Sequence, residues 1–178
     1  PYFGTQVMGV SEEIAGYLMG ILLIVALFFF PVVSWAGGRF GKKPVMVVCM
    51  LWFSIFIFLF PLAKIIPGLN AKIFGFAIFL ILAPPVSAIL VLQRPLLFDI
   101  MDYDEKLTGF RREAMYEGAE GFCTKFALGI SPVIVTQLMR LFGNTTEHPW
   151  GILITGPVAG LFLLVATWYF WKKYMFKL

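Results

Sequence analysis

The sequence predicts an all-α, polytopic membrane helix bundle, and three observations carry that prediction. Apolar residues make up 60% of the chain and charged residues 13%, with a mean hydropathy of +0.89; a soluble core built from 178 residues cannot hide that much apolar surface. Long uncharged runs recur, and about 20 apolar residues, each rising about 1.5 Å, cross a hydrocarbon layer ~30 Å thick. Lys and Arg gather in alternate connections, the pattern that membrane topology imposes.

The first ten residues, PYFGTQVMGV, are uncharged but too short to span. They read as a partial span, the end of a helix begun upstream, and carry no signal-peptide pattern, so the chain is expected to be a fragment. Full spans are expected at 14–38, 44–63, 73–93 and 149–171, and a fifth at 114–140 if Glu117, Glu120 and Lys125 are tolerated there. Residues 94–113 are expected to form a cytoplasmic loop. The whole of 1–178 reads as a single transmembrane domain.

Orientation follows from charge. GGRFGKK, RPLLFDIMDYDEKLTGFRR and the C-terminal KKYMFKL hold ten Lys and Arg residues, whereas the side carrying the loops SEE, KIIPGLNAK and FGNTTEHP holds three: Lys64, Lys72 and Arg140. The remaining basic residue, Lys125, lies within a span. The richer set, and with it the C-terminus, is expected in the cytoplasm, with the protein in the cell (inner or plasma) membrane. Trp35, Trp168 and Trp171 near cytoplasmic ends and Trp150 near an outer end suit interfacial anchoring.

Pro31, Pro84, Pro85, Pro132 and Pro157 each remove a backbone donor inside an expected span. A wet cavity with moving parts and ordinary packing kinks both accommodate such prolines. Gly16 with Gly20, and Gly156 with Gly160, offer small faces for close helix packing within the bundle. Cys49 and Cys123 are expected as small buried hydrophobes, not as a disulfide.

Several signals are set aside. The net charge of +4 is not a nucleic-acid footprint, because the basic residues cluster at helix ends. AGGRFGKKP has Ala36 and Lys43 where a phosphate-binding loop needs Gly and Ser or Thr. DYDE lacks the spaced oxygen ligands and glycine of a calcium loop. Asn144 opens a formal glycosylation acceptor, NTT, whose use depends on the host. His148 is the lone histidine, which leaves little material for a metal cluster inside the membrane. Neither a metal, a cofactor nor an enzyme is expected; an intramembrane enzyme would need a catalytic cluster that the sequence does not offer.

The charged segment EAMYEGAEGFCTKFALG poses the functional question. Lys125 lies twelve residues after Glu113, about 18 Å along a helix axis and close to the membrane midplane. A charge there costs a few kcal/mol or more unless it is paired or faces water, so it marks a functional site. Glu113, Glu117 and Glu120 share one helix face, while Lys125 projects about 120° away from Glu113. Its partner is expected on another helix, yet no other expected span contains an acid. Either the partner lies upstream of this chain or Lys125 lines a wet cavity.

Here the residues carry a resemblance. Val91 to Gln93, Asp99, Asp102 with Tyr103, Glu105, Arg111, Glu113 and Lys125 reproduce a long ungapped pattern. It resembles the segment joining the tenth and eleventh helices of the glycoside-pentoside-hexuronide:cation symporter family of the major facilitator superfamily, nearest to its melibiose permease-like branch. RFGKK is similar to the family's basic turn between the eighth and ninth helices. The resemblance implies the C-terminal six-helix half of a twelve-helix transporter, beginning late in the seventh helix, with an N-terminal half as its partner. Leu90 and Glu120 depart from the branch, which has tryptophan and glutamine there.

What the resemblance implies is cation-coupled symport of a sugar or glycoside by alternating access, with Na+ or H+ as coupling cation bound chiefly by the N-terminal half. Lys125 would couple cation and substrate; Glu120, Thr124 and Leu90 would line the cavity. Asp99, Asp102, Glu105, Arg111, Arg112 and Glu113 would form cytoplasmic charge pairs that open and close with the cycle. The alternative on the same fold is a carrier of lysolipid or another amphiphile, to which Leu90 is suited.

Overall fold

The computed structural model describes residues 5, 8–62, 71–143 and 150–174. Among them are six α-helices and no strand: α1 (Glu12–Phe40), α2 (Lys42–Ile57), α3 (Ala71–Ile81), α4 (Ala83–Thr108), α5 (Glu113–Phe142) and α6 (Trp150–Lys173). The all-α membrane bundle is thus what the chain forms. By length and composition α1, α5, α6 and the stretch Ile73–Thr108, which joins α3 to α4, can each cross a bilayer. Most of the partial span expected at 1–10 lies outside the described residues, as do Lys64, Asn144 and His148.

Local chemistry explains the helix boundaries. Ser11 caps α1, its Oγ accepting from the Ile14 amide at 3.4 Å, and Glu12 and Glu13 fill the first turn beside the positive end of the helix dipole. SEE is therefore a helix start and not the loop expected. A single residue, Gly41 at φ 90°, separates α1 from α2; a side chain there would be strained. Leu82 interrupts the expected span 73–93, because Pro84 and Pro85 bring no amide hydrogen to the carbonyls one turn earlier. These two prolines stand in the first turn of α4, where such donors are unpaired in any case. Pro31, Pro132 and Pro157 do lie inside helices, joined by Pro95.

Residues 94–113 correct the sequence reading most clearly. The loop expected there is helical as far as Thr108, and only 109–112 connect α4 to α5. Gly109, in the left-handed region at φ 73°, ends α4 with its amide donating to the Glu105 carbonyl at 2.8 Å. The helix persists because Leu92, Leu96 and Met101 stay buried on one side, while charges occupy the other.

Packing divides the bundle. α1 lies along α4, and α2 is held between α4 and α6. One core joins Met8 and Leu18 to Ile152 and Leu153; the other joins Val33 to Ala88, Leu92 and Leu96. Gly156 and Gly160 bring α6 against the end of α2, where the buried Ser54 donates to the Gly160 carbonyl at 2.7 Å. The Gly16 and Gly20 face behaves differently, since a Cβ at either position would meet nothing within 4 Å. α5 packs mainly on α6, meets α4 at few points and contains no buried residue. Cys123 on α5 is consequently exposed and Cys49 half-buried, neither being the fully buried hydrophobe expected.

Candidate functional site

The polar residues of α5 meet α4 in one cluster. Glu117 and Glu120 lie four and seven residues after Glu113, about 6 and 10 Å up the helix. α4 descends beside them and presents Gln93 and Arg94 at that depth. Arg94 Nη1 is 2.5 Å from Glu117 Oε2, and its Nη2 lies 4.0 Å from Glu120 Oε2. Gln93 donates to Glu120 Oε1 at 2.7 Å, and Thr124, one turn along α5, donates to the same oxygen at 3.3 Å.

This arrangement has a definite chemical capacity. Two carboxylates face one guanidinium, which leaves the cluster one negative charge in excess. Glu120 keeps one oxygen with only the distant Arg94 beside it, free to accept from a cation or from a ligand hydroxyl. Leu90 is 53% exposed, three residues before Gln93 on the same side of α4, and adds an apolar surface next to these polar groups. Lys125 is exposed and makes no hydrogen bond or ion pair with any described residue.

The sequence reading places Glu120 and Thr124 in one cavity; the structure joins them by a hydrogen bond and adds Gln93 and Arg94, which that reading does not include as site residues. A usable signal was present. Both stand at the end of one apolar run and Glu117 and Glu120 near the start of the next, so an antiparallel turn places them at equal depth.

A second polar region lies nearer the α4–α5 connection. Arg111 contacts Glu113 at 2.5 Å and Glu105 at 3.6 Å. The hydrogen bond from Arg111 to Glu113, and after it the fields of Glu113 and Glu105, raise the guanidinium pKa further above its ordinary value. Arg112 approaches Asp104, absent from the expected set, at 4.0 Å. Asp99 pairs with neither arginine: Lys42 at the start of α2 donates to both its oxygens, at 2.6 and 2.8 Å. Asp102 shares a cleft of about 620 Å3 with Asp99, Lys42, Lys106 and Tyr174. Exposed pairs of this kind are weak, so they can be broken and remade at little cost.

Tyr174 closes the cleft. Its hydroxyl donates to the Leu96 carbonyl at 3.3 Å, and its own carbonyl accepts from Lys43 Nζ at 2.8 Å. Burial, and secondarily the negative field of Asp99, push its pKa up to about 12.

A bundle of long apolar helices, several of them able to cross a bilayer, marks an integral membrane protein. The chain matches the family model described as MFS/sugar transport protein over residues 1–167. It belongs to that family, within the major facilitator superfamily. No curated protein and no solved structure gave a match.

Proposed function

We propose that the chain is the C-terminal half of a cation-coupled sugar or glycoside symporter working by alternating access. One observation carries this reading: Glu120, held by Gln93 and Thr124 and near Arg94, forms a polar site where α4 and α5 meet, with one carboxylate oxygen left to accept from a ligand. Carboxylate, amide and hydroxyl groups together match the donors and acceptors of a polyhydroxylated substrate. Lys125, farther into the membrane, supplies a charge whose balance changes when a cation enters or leaves. The resemblance of residues 91–125 to a segment of the cation symporters supports the choice of half and subfamily. The Arg111 and Lys42 pairs then serve as cytoplasmic gate contacts, exchanged as the two halves rock about the site.

The test is ion-gradient-driven uptake by the full-length transporter, measured beside surface abundance. Lys125→Ala should reach the membrane at near-normal levels and lose concentrative uptake, retaining downhill exchange. Lys125→Arg should also be poor, because it keeps the charge but not the compact ammonium. Accumulation by Lys125→Ala at the parent's level would remove the lysine from the coupling site. The exposed Leu90 favours a second reading, an amphiphilic cargo such as a lysolipid, with its chain against Leu90 and its polar head at Glu120. Competition by lysolipid but not by glycosides in the same assay would select it.

A further inference from the structure

One end of the bundle carries cations laid on outward-facing aromatic rings. The Arg39 guanidinium lies 5.4 Å from the Trp35 ring centre and 5.8 Å from that of Phe40. Lys43 lies 5.2 Å from Trp171, and Lys172 lies 5.1 Å from Trp168. All three indoles are more than half exposed. Lys42 is neutralised by Asp99, but Arg39, Lys43 and Lys172 have no carboxylate partner among the described residues.

The field is therefore positive, and it stands at the rim of the cleft that Arg39 and Lys43 help to line. α2 begins at the same place with no acid in its first turn, so its dipole adds to the same sign. A guanidinium lying on a ring keeps N–H donors at its edge, and Lys43 has two donors left after its bond to Tyr174. Donors of this kind on Arg39 and Lys43, with no carboxylate partner among the described residues and at one cleft, match a phosphate group.

The rings decide where the phosphate comes from. Tryptophans on the outside of a membrane bundle, at helix ends, lie at the depth of lipid headgroups. We propose that Arg39 and Lys43, which line one cleft, form a binding site for the headgroup phosphate of an anionic phospholipid, with Trp35 and Trp171 against the upper part of its chains. Which leaflet supplies the lipid rests on the orientation proposed for the symporter; the headgroup chemistry does not.

The experiment is native mass spectrometry of the full-length protein, purified with equal amounts of phosphatidylglycerol and phosphatidylcholine. The parent should retain phosphatidylglycerol preferentially. Arg39→Gln combined with Lys43→Gln should lower that preference on the order of fivefold per charge removed. Arg39→Lys should keep most of it, and Arg140→Gln, at the far end of α5, should not change it. Millimolar inorganic phosphate should not displace the lipid. Equal retention of both lipids by the parent, or an unchanged preference in the double variant, would overturn the proposal. Displacement by inorganic phosphate would also overturn it, in favour of a free-anion site. If the double variant does not survive purification, the parent's preference and the two single glutamine variants decide. Retention is read without transport, so failure of the Lys125 test leaves this result standing, and the reverse holds equally.

Discussion

Tyr174 shows how one residue can join three elements. It lies one residue past α6, hydrogen-bonds α4 through its hydroxyl and α2 through its backbone carbonyl, and lies against the Phe170 ring, tilted by 40°, at 4.8 Å between ring centres. Because its folded pKa is raised to about 12 from 10.0, the neutral phenol is favoured in the folded state. Its contribution to stability is therefore fully present below about pH 10 and is lost as pH rises towards 12. In an alkaline absorbance titration, one tyrosine should ionise late, near pH 12, and Tyr174→Phe should abolish that late step. A late step persisting in Tyr174→Phe would assign it to another tyrosine and remove the clamp. Glu120 makes the complementary point: its partners come from two helices, so its role depends on how α4 and α5 are placed and not on the sequence around it.

At the scale of the helices, the contact of α2 with α6 is a sensitive joint. A Cβ on Gly156 would stand 2.5 Å from the Ile57 carbonyl oxygen, and one on Gly160 would stand 2.7 Å from the Phe58 ring. The backbone oxygen cannot move aside as a flexible side chain could. Gly156→Val should cost about 1–3 kcal/mol, whereas Gly20→Val, facing open space, should stay within about 0.5 kcal/mol. Thermal unfolding of the purified full-length variants checks this, and equal melting temperatures would mean that the two helices are not in close contact. The glycine pairs looked alike in the sequence; only the placement of neighbouring helices separates them. The helix limits of α1, α5 and α6 lie within a few residues of those expected, because a membrane helix must be apolar over most of its length, whereas α2 stops at Ile57, well short of the span expected to run from 44 to 63. α4 was read too short because Arg94 ended the uncharged run. A helix needs no such run to continue: Leu96 and Met101 keep one face buried after the charges begin. Gln93, Arg94 and Lys42 were missed as partners for a related reason, since side-to-side register between helices is not written in either helix alone.

Among the described residues, polar chemistry is segregated along the length of the helices. Arg39, Lys42, Lys43, Lys106 and Tyr174 come from four helices or their ends and line one cleft, while Arg140 stands near the opposite end of α5. The Glu117 and Glu120 cluster lies between these extremes, and Lys125 deeper still. Such a gradient suits a substrate path that opens at one surface and narrows to a site within the bilayer. It also sharpens the proposed orientation, because the basic end should be held at the cytoplasmic surface, where Lys and Arg resist translocation. Thr108, at the end of α4, should then be cytoplasmic, and Thr145, outside the described residues, should face the other side. In a full-length background with Cys49, Cys123 and any other cysteines replaced, Thr108→Cys should react with an impermeant thiol reagent only after the membrane is opened or inverted. Thr145→Cys should react from outside intact cells. Labelling of both from one side would mean that the chain between them does not cross the bilayer as a single α5 span, and the depth assigned to Glu120 and Lys125 would fall with it. The reverse pattern, with Thr108→Cys alone reacting from outside, would keep the span and the buried site but invert the orientation, placing the Arg111 and Lys42 pairs at the outer gate.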